Sequence, residues 1–212
     1  MGRSSQEKAQ ENRARILQNA SQLFRQHGVE NVSIADVMAA CGMTVGGFYK
    51  HFASKDALVA EVCAASFAQA LSTWDGVYDQ ADAADQPRLA TLVQRYIHNR
   101  APQRRCPILA FAPVIATGGA ADPTIQAYEA GTQALFDKFL LGQDEPAAAA
   151  ATATADARVL FAAMVGARLL HQALGHTDWV DGIEAAVIAA ATPALSPAAD
   201  PHNITPLTPE ES

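Results

Sequence analysis

From Thr44 to Lys55 the chain reads Thr-Val-Gly-Gly-Phe-Tyr-Lys-His-Phe-Ala-Ser-Lys, which gathers a phenol, an imidazole and two ammonium groups into one short stretch. Donors of this kind suit phosphate oxygens, and the backbone N–H groups of a helix capped by Ser54 add to them. Phe48 and Phe52, four apart, share a helical face directed at a core beside Phe24. Thr44, Val45, Gly46, Tyr49, Lys50 and His51 are left for the other faces. Two adjacent glycines in a short helix cost roughly 1 kcal/mol each relative to alanine, so a compensating gain is expected. Close approach of the backbone to a ligand is one such gain.

A second chemistry centres on Cys106. It follows Arg104-Arg105 and precedes Pro107, which places a thiol at a helix N-cap beside two cations. Both features lower a thiol pKa and favour oxidation, while a quiet capping or buried cysteine is the plainer alternative. Cys41 and Cys63 read as core residues; three widely spaced cysteines fit reduced thiols better than a disulfide framework or a zinc cluster. His171 and His176, five apart with no carboxylate or cysteine at ligand spacing, predict no metal site. No phosphate loop, nucleophile elbow, His-Glu-x-x-His pair or dinucleotide fingerprint occurs, so neither an enzyme nor a cofactor is expected. A small helical enzyme built on scattered residues such as His98, Cys106 and Asp137 is the competing class.

The elements that must position these groups are helical. Ile16, Leu17, Ala20, Leu23 and Phe24 recur at helical spacing over residues 6–27, and Gly28 stands at the stop position. Ser33 followed by Asp36 predicts an N-cap opening a short helix through Ile34, Val37 and Met38 to about Ala40. Gly42 permits a tight turn, Thr44 caps a third helix to about His51, and Ser54 caps a fourth carrying Leu58, Val62, Phe67 and Leu71. Further helices are expected over 86–100, 107–116, 123–141, 155–174 and 179–191. No segment alternates with the period of a strand, so the fold class is all-α.

The chain has 212 residues, 50% of them hydrophobic, which excludes disorder over its whole length. Its 15 Lys and Arg against 22 Asp and Glu give −7. Residues 1–60 hold seven basic and five acidic groups, +2, and the remainder eight and 17, −9. A mildly basic head on an acidic body hints at a polyanion partner for the head. No apolar run approaches the roughly 20 residues of a membrane span, and the N-terminus shows no secretory pattern, so a cytoplasmic protein with no membrane partner is expected. Residues 193–212, rich in proline and ending in Glu210-Glu211-Ser212, predict a disordered tail.

The string from Gly42 to Leu58, with its Gly-Gly-Phe-Tyr-x-His-Phe core, resembles the signature of the TetR family of bacterial transcriptional regulators. The likeness reaches back through the capped second helix to Leu23-Phe24 and Gly28-Val29, covering about residues 10–60. It implies a three-helix helix-turn-helix domain over 1–56 and a larger helical effector-binding and dimerisation domain over 57–192. Tyr49 and Lys55 stand at the family's phosphate-contact positions; Thr44, Val45, Gly46, Lys50 and His51 stand where the groove is faced, with Ser33 at the start of the preceding helix. Val45 departs from the polar or basic residue many relatives carry and would at best touch a thymine methyl. Base reading then falls to Thr44, Lys50 or His51.

The resemblance further implies an inducer cavity and a two-fold dimer. Phe67, Trp74, Tyr96, His98, Phe111 and Tyr128 are candidates to line a pocket for a largely apolar small molecule. Ala163, Gly166, Ala167 and Leu170, with Trp179, Ile183 and Val187, are candidates for the interface between two copies. The expected function is that of a ligand-responsive homodimeric repressor on a palindromic double-stranded operator, with an oxidation signal at Cys106 as the alternative.

Overall fold

The computed structural model describes residues 2–99, 101, 105–119, 121–143 and 150–192, with side chains from residue 5 and, in the last segment, from residue 157. The described residues form helices α1 Gly2–His27, α2 Ile34–Ala40, α3 Val45–Phe48, α4 Lys55–Ala83, α5 Arg88–His98, α6 Pro107–Ala116, α7 Asp122–Leu140, α8 Ala150–Leu174 and α9 Asp178–Ala191, and no strand. The tail expected over 193–212 lies outside the described residues.

Local chemistry sets the boundaries. Gly28 at φ +84° and Gly42 at φ +65° take left-handed angles that end α1 and turn the chain after α2. The Ser33 side chain accepts from the Asp36 amide while the Asp36 carboxylate accepts from the Ser33 amide, a reciprocal cap. Ser54 Oγ accepts from the Ala57 amide at 3.1 Å and starts α4. The third helix is shorter than expected, four residues, and Tyr49 to His51 continue as turns. Its two glycines, with their low helix propensity, account for the early end.

Ile16, Ala20, Phe24, Val37, Met38, Phe48 and Phe52 close the core of the head, with Phe48 and Phe52 stacked at 5.6 Å. The fourth helix, 29 residues, runs without a break through the expected boundary at 56/57. It is long and apolar enough to cross a membrane by length and composition, but α1, α5, α6 and α7 pack around it, which accounts for its apolar content. Its most extensive pairing is with α7, where Phe67 fills the space left by Gly131 and meets Tyr128 edge-on at 5.7 Å. Arg13 clasps α1 to α4, its guanidinium 2.6 Å from Glu61 and over the Phe52 ring at 4.6 Å.

Candidate functional site

The helix-turn-helix carries its polar groups outward. Arg15 of α1 donates to the Cys41 carbonyl at 2.7 Å and fixes the turn between α2 and α3. Thr44 stands at the N-cap of α3 without a side-chain capping bond, and Thr44, Val45, Gly46, Tyr49 and Lys50 are all exposed. The Tyr49 ring rests edge-on against Phe48 at 5.3 Å and is otherwise largely exposed. Gly46 has no positive φ, and a Cβ built there meets nothing within 4 Å. Nothing within the fold therefore requires glycine at position 46. His51 is half-buried, and the Ser33 hydroxyl bonds Asp36 at 2.6 Å, which holds that carboxyl below its ordinary pKa.

Lys55 lies differently from its expected place. Its ammonium turns inward and donates to the Val29 carbonyl at 2.9 Å, tying the start of α4 to the loop after α1. One of its three donors is thereby engaged, and Tyr49 and Lys50 are the more open donors on this surface.

A cavity of about 370 Å³ lies between α1, α4, α5, the approach to and start of α6, α7 and α8. Trp74 and Tyr96 line it as expected, packed edge-on at 6.4 Å. The other four aromatic and histidine candidates do not. Phe67 and Phe111 are consumed in the core, Tyr128 donates to the Ile108 carbonyl at 3.2 Å, and His98 is exposed. His98 follows Tyr96 by two, which on a helix turns it to the opposite side. The wall is also less apolar than expected, because Arg25, Arg105 and Arg168 all reach it. Arg168 donates to the Asn99 carbonyl at 2.6 Å. Burial lowers the pKa of Arg25, against an opposing pull from Cys106, and burial alone lowers that of Arg105. A lone arginine in the apolar run Gly166-Ala167-Arg168-Leu169 was the one signal in the sequence for this wall.

Cys106 also lines the cavity, at the N-cap of α6 as the sequence indicated, but its expected acidity is reversed. Burial pushes the thiol above its ordinary pKa, and the Tyr96 hydroxyl, the Ile108 and Leu109 amides and Arg25 only partly offset it. Arg104, one of the two cations invoked, lies outside the described residues. Burial likewise raises Cys41 and pushes Cys63 up to about 12.

The two histidines read as lacking carboxylate neighbours have them in the fold. His171 Nδ1 is 3.5 Å from Glu184 and His176 Nδ1 is 3.2 Å from Asp181, contacts from α9 that clasp the α8–α9 turn. Of the interface candidates, Ala167 and Val187 are buried within the subunit, where α8 meets α9. Ala163, Gly166, Leu170 and Ile183 are half-buried, and Trp179 is exposed. Ala162 and Leu169, which belong to the same stretch of small and apolar residues in the sequence, are exposed on α8, as are Val159 and Ala173 at helical spacing from them, which the sequence reading did not single out.

These features define a helix-turn-helix head joined through one long helix to a cavity-bearing helical body. The family described as "Bacterial regulatory proteins, tetR family" matches residues 16–62, from within α1 to the early turns of α4. The chain is 40% identical over 62 residues to the HTH-type transcriptional regulator AcrR of Shigella flexneri, a match covering 29% of each chain. It is 41% identical over 59 residues to the regulator TtgR of Pseudomonas putida, covering 28% of each. Similarity to these curated relatives thus spans under a third of their length. The fold as a whole matches a TetR-family regulator from Agrobacterium tumefaciens with a TM-score of 0.69 at 20% identity, covering 87% of this chain and 99% of that one.

Proposed function

We propose that this chain is a homodimeric DNA-binding transcriptional regulator, a repressor released from a palindromic operator when a small molecule occupies the body cavity. The observation that carries the reading is the outer face of α3: Thr44, Val45, Tyr49 and Lys50 exposed around a glycine whose missing side chain leaves open space. Close approach to a DNA backbone supplies the reason for Gly46 that the fold does not. Ser33, His51 and the amides at the start of α4 flank that surface, and Lys55 backs it. Residues 1–56 act as the reading head and 57–192 as the sensing and dimerising body, with α4 as the shared strut.

The exposed apolar face of α8, Val159, Ala162, Leu169 and Ala173, with Gly166 beside it and Trp179 on α9, supports the dimer. A Cβ at Gly166 or Gly182 meets nothing within 4 Å, which leaves room for a second pair of helices to approach closely. Two heads related by two-fold symmetry fit half-sites about 34–36 Å apart, and an effector that favours another spacing releases them. The raised pKa of Cys106 weighs against a thiol signal. The test is a Tyr49→Phe, Lys50→Ala double variant: folded protein with weakened DNA binding is expected, and undiminished binding would count against the reading.

A further inference from the structure

We infer that the body cavity takes an organic carboxylate, a small anion with an apolar tail, held by Arg25, Arg105 and Arg168. The ligand class stands on the cavity itself; only its effect on DNA rests on the regulator reading above.

Charge is the first argument. The body is acidic, residues 57–192 holding eight basic against 14 acidic groups, yet the described cavity wall contributes three guanidiniums and no carboxylate. These come from α1, from the approach to α6 and from α8, three places far apart in sequence that converge on one space. A guanidinium presents its donors as a planar fork that matches carboxylate geometry, two bonds at a time. Burial disfavours the charged form of Arg105, and a bound anion offsets that cost.

The second argument is a buried donor. The Tyr96 hydroxyl is shielded from solvent and faces the Cys106 sulfur, a weak acceptor. Burial holds its phenol well above the ordinary pKa, so it stays protonated and able to donate. An oxygen acceptor entering the cavity would satisfy it.

Shape supplies the tail. Trp74, Leu109, Leu135 and Ala70 furnish apolar lining in the same cavity as the cations. A volume of about 370 Å³ holds about a dozen waters at roughly 30 Å³ each, room for an aryl or medium-chain carboxylic acid. Inorganic phosphate shares the anion chemistry but leaves that wall unused.

Arg25 also connects the site to the head. It lies in the last turn of α1, the helix whose Arg15 holds the turn between α2 and α3. An anion that draws Arg25 toward Arg105 and Arg168 acts on α1, the helix that holds the turn leading into the reading surface.

The experiment is thermal unfolding and calorimetry of the full chain with benzoate and octanoate, each beside its own amide, and with inorganic phosphate. The acids are expected to bind and raise the unfolding temperature, and the amides and phosphate to do neither. Arg105→Gln, on a half-buried side chain outside any helix, should weaken the acids about ten- to a hundredfold, the range of a hydrogen bond to a charged group. Tyr96→Phe should weaken them less. Amides that bind as well as acids, phosphate that reproduces the whole effect, or acids that do not bind would overturn the assignment. DNA binding, measured separately on the same protein, tells failure of the regulator reading from failure of the ligand class.

Discussion

Replacing Gly46 by alanine separates folding from recognition at a single atom. Position 46 has an ordinary negative φ, and the added Cβ meets nothing within 4 Å, so the substitution introduces neither backbone strain nor a clash. Alanine restricts the unfolded chain, and the expected change is a gain of about 0.4–1 kcal/mol, toward the lower end because the site lies in the first turn of a short helix. The same methyl group at a surface pressed against a DNA backbone acts as overpacking, which costs about 1–3 kcal/mol. That corresponds to a loss of affinity of about five- to a hundredfold, since every 1.4 kcal/mol is about tenfold. Urea unfolding reads the first quantity and fluorescence anisotropy with labelled operator DNA reads the second. A variant that is more stable and binds DNA as tightly as the parent would refute the claim that Gly46 is kept for close approach.

The same substitution at Gly131 should do the opposite. A Cβ there would stand 2.5 Å from Phe67 Cδ2 and 2.7 Å from Phe67 Cβ, so overpacking of about 1–3 kcal/mol outweighs the roughly 1 kcal/mol gained in helix propensity, and urea unfolding should show a net loss. Asp36→Asn weakens the reciprocal cap of α2; because hydrogen bonds from Ser33 hold the folded carboxyl below its unfolded pKa, its contribution is present above the unfolded pKa and disappears as pH falls through the folded one. The variant should therefore lose part of the acid limb in a pH series of thermal unfolding. Cys63 runs the other way: with a folded pKa pushed up to about 12, its contribution is intact below the unfolded thiol pKa and is lost as pH rises toward that value. Cys63 in the native protein should accordingly resist alkylation at neutral pH and react only on unfolding. Leu169→Glu, on the exposed face of α8, should convert a dimer to monomers in sedimentation without loss of helix content.

What the sequence reveals is what short-range chemistry decides. Ser33 with Asp36, Ser54, Gly28 and Gly42 mark boundaries that the structure keeps, because a cap or a left-handed turn needs only a few neighbouring residues. Proline at the start of α6 and the faces of Phe48 and Phe52 were legible for the same reason. The cavity was not, since Arg25, Arg105 and Arg168 meet only through tertiary packing, and no local pattern distinguishes a buried arginine from a solvated one. Lys55 illustrates the limit within the head: its position in the motif was clear, but the Val29 carbonyl that captures it comes from another loop. The acidity of Cys106 failed on a balance of two effects, with local cations visible in the sequence and burial invisible. The partners of His171 and His176 lie on the next helix, where their spacing depends on how α9 folds back.

The central claim is tested most directly by selecting binders of the full chain from random duplex DNA and measuring affinity for the selected sequence over a range of salt. A regulator that reads DNA with α3 predicts a two-fold symmetric motif with half-site centres about 34–36 Å apart and an affinity that falls steeply with salt as phosphate contacts are lost. Selection that enriches no sequence, with weak binding indifferent to the fragment offered, would contradict it.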